Sequence, residues 1–167
     1  MTAVAALYVL SLILLEYFQE GVRSHHLLAR RDLPAISNWW GLLILPVLTW
    51  IGLTLIQKRL IKANNDEMLE AQPNMKSFIS AFLFGIVMTL LYYNAPALPG
   101  YFMLTTFALA LFIPIYRPEY WLGFILSMAY GFGGVLPVIF SLILVPIYLI
   151  EYRLIRKGFL LVLSKSK

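Results

Sequence analysis

The sequence contains no cysteine. Disulfides, thiolate metal centres and cysteine nucleophiles are thereby excluded. Histidine is almost as scarce, with two residues, His25 and His26, side by side. Charge is the most consequential shortage. Only 13% of residues are Asp, Glu, Lys or Arg, against about a quarter in soluble domains. What charge there is avoids long stretches altogether. Residues 33–57, 77–116 and 120–150 carry none. A soluble helix needs polar groups on its outer face at every turn. A helix in hydrocarbon must shed them, because a central charge costs roughly 2.5–3.5 kcal/mol on insertion scales. The chain therefore reads as an integral membrane protein, a single all-α bundle with hydrocarbon as its principal solvent.

A crossing helix needs about 20 apolar residues, with 17 near the lower limit. The first candidate is 3–18. No Lys or Arg precedes it and no small-x-small site follows it, so it is expected to be a retained helix rather than a cleaved signal. The spacing allows this helix to run on to Asp32, where Leu33-Pro34 ends it. A second span is expected over 39–57, opened by Trp39 and Trp40 as interface anchors and left through Lys58, Arg59 and Lys62. Pro46 is expected to kink it. Residues 58–76 form the longest polar connection, with a surface-lying helix as one option. The 77–116 run divides at Asn94-Ala95-Pro96-Ala97-Leu98-Pro99-Gly100, which predicts a hairpin of two short spans, 77–93 and 101–116. Residues 120–150 are too many for one upright helix, which would reach about 46 Å. Gly131-Phe132-Gly133-Gly134 breaks them. The expectation is two short tilted spans, or a re-entrant half-helix followed by one full span. About six spans result, with five plus a half-helix as the alternative.

The tail from Glu151 sets Arg153, Arg156, Lys157, Lys165 and Lys167 among leucines and isoleucines. That pattern suits an interfacial segment against anionic lipid headgroups. The net charge of +5 lies beside apolar segments and not in an aromatic-interleaved basic run, which argues against nucleic acid as a partner. Six spans with both termini in the cytoplasm place ten of the thirteen basic residues inside, in line with the positive-inside rule. Five spans place eight there. The cell (inner) membrane is the expected location. Under the six-span topology, Arg23, Arg30 and Arg31 alone lie outside.

Those three arginines belong to the segment 16–32, where the chain's polar chemistry gathers: Glu16, Gln19, Glu20, Arg23, His25, His26, Arg30, Arg31 and Asp32. On a continuous helix Gln19, Arg23, His26 and Arg30 share one face. Guanidinium forks beside an imidazole can hold a phosphate or carboxylate. Glu16 and Glu20 with one histidine can bind a divalent metal, although the Glu-x-x-His pairing of di-iron bundles is absent. Glu16 and His26 can relay protons. A solvated loop of local ion pairs is the plain alternative. Glu16 is the acid placed deepest by sequence position. Gly131, Gly133, Gly134 and Pro137 can line a cavity with exposed backbone or simply form a turn. Gly85 and Gly123 read as helix-packing positions, and Arg117-Pro118-Glu119 as an exposed turn. No cofactor is specified by any motif.

Three classes follow. The first is a transporter- or channel-type subunit. The second is a subunit of a larger membrane complex or homo-oligomer. Both would meet an anionic or lipid-headgroup ligand through Glu16, Glu20, Arg23, His25, His26, Arg30 and Arg31. The third is a membrane-embedded enzyme acting on a lipid or phosphorylated substrate.

Overall fold

A computed structural model of the chain describes residues 2–19, 21–22, 24–26, 35–63 and 72–155. The first helix, α1, spans Thr2–Gln19. Two three-residue strands follow, β1 (Ser24–His26) and β2 (Ala35–Ser37), paired antiparallel with Ser24 opposite Ser37 and His26 opposite Ala35. A single 3₁₀ turn, Asn38–Trp40, leads into α2 (Gly41–Lys62). Next come α3 (Met75–Asn94), α4 (Leu98–Ala110), α5 (Pro118–Phe132) and α6 (Leu136–Ile150), which a wider π-type turn extends over Glu151–Ile155.

Four helical segments are long and apolar enough to cross a membrane: Thr2–Gln19, Asn38–Lys62, Met75–Asn94 and Leu136–Ile155. Their outer faces show large apolar side chains. Leu7, Phe18, Trp50, Leu83 and Leu142 are each more than half exposed. A bilayer covers such faces at no cost, whereas water would not. The membrane reading of the composition stands on this.

Local chemistry accounts for most boundaries. The Asn74 side chain accepts from the backbone N–H groups of Lys76 at 3.0 Å and Ser77 at 3.4 Å, capping α3. Pro99, Pro118 and Pro137 each sit in the first turn of α4, α5 and α6, where the missing N–H is no loss. α4 thus begins at Leu98, three residues earlier than the Pro-Gly signal suggests, and stops at Ala110, short of Pro114. Gly133 ends α5 at φ +72°, a left-handed conformation that favours glycine. The predicted break in 120–150 is therefore real, and two helices flank it. α2 continues through Pro46 as one helix.

One expectation is overturned. The first helix does not run on to Asp32. It stops at Gln19, Gly21 takes φ +89°, and Ser24–His26 is extended. A left-handed glycine terminates the helical hydrogen-bond ladder, and the Ala35–Ser37 strand satisfies the freed backbone groups instead. No continuous helix therefore joins Gln19 to His26, and Arg23 and Arg30 of the expected face lie outside the described residues.

The bundle is organised around α5. Ile125 and Ala129 of α5 pack with Val9 and Ile13 of α1, Leu45 of α2 and Val138 of α6 as one buried cluster. On its other side α5 meets α3 through small residues four apart: Ser77, Ala81, Gly85 and Thr89 against Gly123, Ser127 and Gly131. A Cβ added at Gly123 would strike the Phe78 carbonyl. One at Gly85 would strike the Ser127 hydroxyl, and one at Gly131 the Thr89 methyl. These contacts climb both helices in step, so α3 and α5 run parallel. Lipid tails give no hydrophobic drive for helices to associate. Close backbone approach between small residues supplies the dispersion contact in its place. The sequence reading of Gly85 and Gly123 as packing positions holds.

Candidate functional site

At one end of the bundle α1, the 3₁₀ turn and the α5–α6 joint converge. The Asn38 side-chain amide donates to both carboxylate oxygens of Glu16, at 2.8 and 3.1 Å. Asn38 is 3% exposed. Its side chain lies against Gly133, where any Cβ would collide with it. Beside this contact Gly41 and Gly134 meet backbone to backbone. The glycine break thus makes room for the amide that holds Glu16. The Tyr93 hydroxyl donates to the Gly131 carbonyl at 3.0 Å, tying α3 to the same end.

The short strand pair sits on this end through Ser37, which precedes Asn38 directly. His25 and His26 belong to β1, and their neighbours across the ladder are Ile36 and Ala35. Glu20, Arg23, Arg30 and Arg31 lie outside the described residues, as do residues 64–71 and the tail beyond Ile155. Among the expected site residues, then, the structure fixes Glu16 and the backbone of His25 and His26. Asn38 is the partner that sequence reasoning missed. Its only signal is its position as a short polar residue just before Trp39-Trp40.

The opposite end holds a second polar assembly. Arg59, near the end of α2, forms a salt bridge with Glu119 in the first turn of α5. Arg59 Nη1 also donates to Glu119 Oε2 at 3.4 Å, and Nη2 to the Gln72 carbonyl at 3.3 Å. The Asn74 backbone N–H points to Glu119 Oε1 at 3.4 Å. The carboxylate is 5% exposed and the guanidinium side chain 23%. The expectation of an exposed turn at Arg117-Pro118-Glu119 is therefore corrected for Glu119. It is more buried than Glu16, which is only half-buried. The cause is tertiary: Glu119 stands four residues before Gly123, on the seam face that closes against α3. Its charge is tolerable there because a guanidinium fork and a backbone N–H replace water.

Each carboxylate is already held, and among the described residues no three His, Asp or Glu side chains gather as metal ligands. No family model, curated protein or solved structure matches the chain. What the site can do follows from its chemistry alone. The Glu16–Asn38 contact fixes the bundle end from which the arginine-bearing connection departs, and the Arg59–Glu119 pair locks the opposite end.

Proposed function

We propose that the chain crosses the bilayer six times with both termini in the cytoplasm of a cell (inner) membrane. We propose further that it acts there as a transport-type or complex subunit meeting an anionic group through the 16–32 segment. The shared ligand chemistry is a phosphate-like oxyanion, carried by a lipid headgroup or by a phosphorylated solute.

Support for the six crossings comes from connectivity. Glu16, Asn38, Tyr93 and Gly131–Gly134 meet at one end, and Arg59, Gln72, Asn74 and Glu119 at the other. The chain shuttles between them in each successive helix. At 1.5 Å per residue, α4 and α5 rise about 20 and 22 Å. Residues 111–117 make up distance after α4. α5 is lined by other helices rather than lipid, so its short length exposes little backbone.

The observation that carries the ligand reading is the anchoring of the first connection. The pairing of Ser24–His26 with Ala35–Ser37 and the Asn38–Glu16 bond hold both flanks of a segment whose sequence supplies Arg23, Arg30 and Arg31. Three arginines on the outer side run against the positive-inside trend, and contact with a fixed anion offsets that placement. Glu16 serves as the anchor of this segment, not as a ligand.

The test is native mass spectrometry on protein purified from membranes containing phosphatidylglycerol. Wild-type protein retains phosphatidylglycerol in preference to phosphatidylcholine, and Arg30→Ala/Arg31→Ala abolishes the preference. If the natural ligand is a solute, inorganic phosphate competes the lipid away. Equal retention of both lipids by wild type and variant contradicts the reading.

A further inference from the structure

A cavity of about 250 Å³ opens between α3, α4, α5 and α6, in the half of the bundle nearer Glu119. It lies far from the 16–32 segment and depends only on the protein being in a bilayer. Its walls are apolar and rich in rings. Phe84, Trp121, Phe124 and Tyr148 contribute, together with Leu144 and Val145. Phe84 stacks on Phe102 at 4.8 Å, and Phe107 meets Tyr148 edge-on at 5.4 Å. These ring contacts tie α3 to α4 and α4 to α6 around the cavity. A dry apolar cavity of roughly 150 Å³ is already enough to take up benzene.

The cavity's hydroxyl groups distinguish it from a packing defect. Ser80 Oγ donates to the Ser77 carbonyl at 3.0 Å. Thr106 Oγ1 donates to the Met103 carbonyl at 2.6 Å and lies 2.5 Å from the Tyr148 hydroxyl. Ser141 also lines the cavity. It is 6% exposed, and its hydroxyl has no partner among the described residues. A buried donor left unpaired is unfavourable. Ser141 also lies deep. It precedes Tyr148 by seven residues on the same face of α6, about 10.5 Å further along the axis from the Glu119 end.

We propose that this cavity binds a flat, bilayer-soluble ring compound bearing a carbonyl oxygen, with the ring against Phe84, Trp121 and Phe124 and the carbonyl accepting from the Ser141 hydroxyl, which gives up no bond to a described residue when it turns from its buried position toward the ligand. A phospholipid acyl chain fits the requirement less well. Its ester oxygens stay at the interface, so the methylenes that would reach Ser141 carry no acceptor.

The test uses two probes of one shape, 1,4-naphthoquinone and naphthalene. The absence of cysteine removes the usual thiol adducts of quinones. Binding to detergent-solubilised protein is measured by equilibrium dialysis, with quenching of Trp121 in a Trp39→Phe/Trp40→Phe/Trp50→Phe background as a second readout. Ser141→Ala should lower the ratio of naphthoquinone to naphthalene affinity about five- to tenfold, the worth of one buried hydrogen bond. Taking the ratio cancels differences in micelle partitioning and in overall stability. Val145→Phe, which fills the cavity, should abolish saturable binding of both probes, with helicity checked by circular dichroism. The proposal is overturned by a ratio that Ser141→Ala leaves unchanged. It is overturned equally by saturable binding that survives in a folded Val145→Phe protein, or by its absence from wild type.

Discussion

Replacing Glu119 by methionine removes a carboxylate while keeping most of its volume. The structure gives the consequence a size. Arg59 loses its principal partner and keeps the Gln72 carbonyl at 3.3 Å. Breaking a buried ion pair from one side costs about 3–5 kcal/mol. Because the Arg59 side chain is 23% exposed, it can turn toward water or headgroups. Glu119→Met therefore belongs at the low end, near ~3 kcal/mol. The reverse change, Arg59→Met, strands a carboxylate that is 5% exposed with the Asn74 N–H as its one remaining hydrogen-bond partner among the described residues. It belongs at about 4 kcal/mol. The double variant leaves no charge behind, and apolar replacement of a whole buried pair is often close to neutral. It should be more stable than either single variant. The assay is unfolding in mixed micelles with increasing sodium dodecyl sulfate, followed by tryptophan fluorescence. Losses that simply add in the double variant, or single losses below about 1 kcal/mol, would refute the claim that this pair is a desolvated lock between α2 and α5.

Two further outcomes are expected. Gly85→Leu places a branched side chain where even a Cβ meets Ser127. It should cost at least the roughly 1–3 kcal/mol typical of overpacking in the same unfolding assay, while Leu83→Ala on the exposed face should change little. Asn38→Ala leaves the Glu16 carboxylate without its two amide hydrogen bonds and opens space beside Gly133. A loss of about 1–3 kcal/mol is expected, together with faster amide hydrogen exchange around Trp39–Gly41; unchanged exchange would contradict a role for Asn38 in fixing that end.

The sequence revealed elements wherever the physics was one-dimensional. Charge-free runs bounded by Lys58–Lys62, Lys76 and Arg117 mark hydrocarbon, because solvation acts on each residue separately. The Gly131–Gly134 break was readable because helix termination by glycine is local. The end of the first helix was not readable. Nothing near Gly21 forbids a helix, and Ser24–His26 is too short to show a strand's alternation. Its partner Ala35–Ser37 lies well further along the chain. Glu119 was misplaced for a related reason. Arg-Pro-Glu looks like a turn in isolation. Only once Glu119, Gly123, Ser127 and Gly131 are seen as one seam face does the carboxylate point into the bundle. Asn38 gave little warning beyond its place before Trp39-Trp40, since its role depends on a left-handed Gly133 far away in the chain.

Single-cysteine accessibility tests the membrane architecture most directly, and the cysteine-free sequence needs no background removal. A membrane-impermeant maleimide is applied to intact cells expressing Gln72→Cys, Ala97→Cys, Arg117→Cys or Tyr130→Cys. Six crossings predict labelling of Ala97→Cys and Tyr130→Cys from outside, and of Gln72→Cys and Arg117→Cys only after permeabilisation. Labelling of all four from the same side, or of Ala97→Cys together with Arg117→Cys, would contradict it.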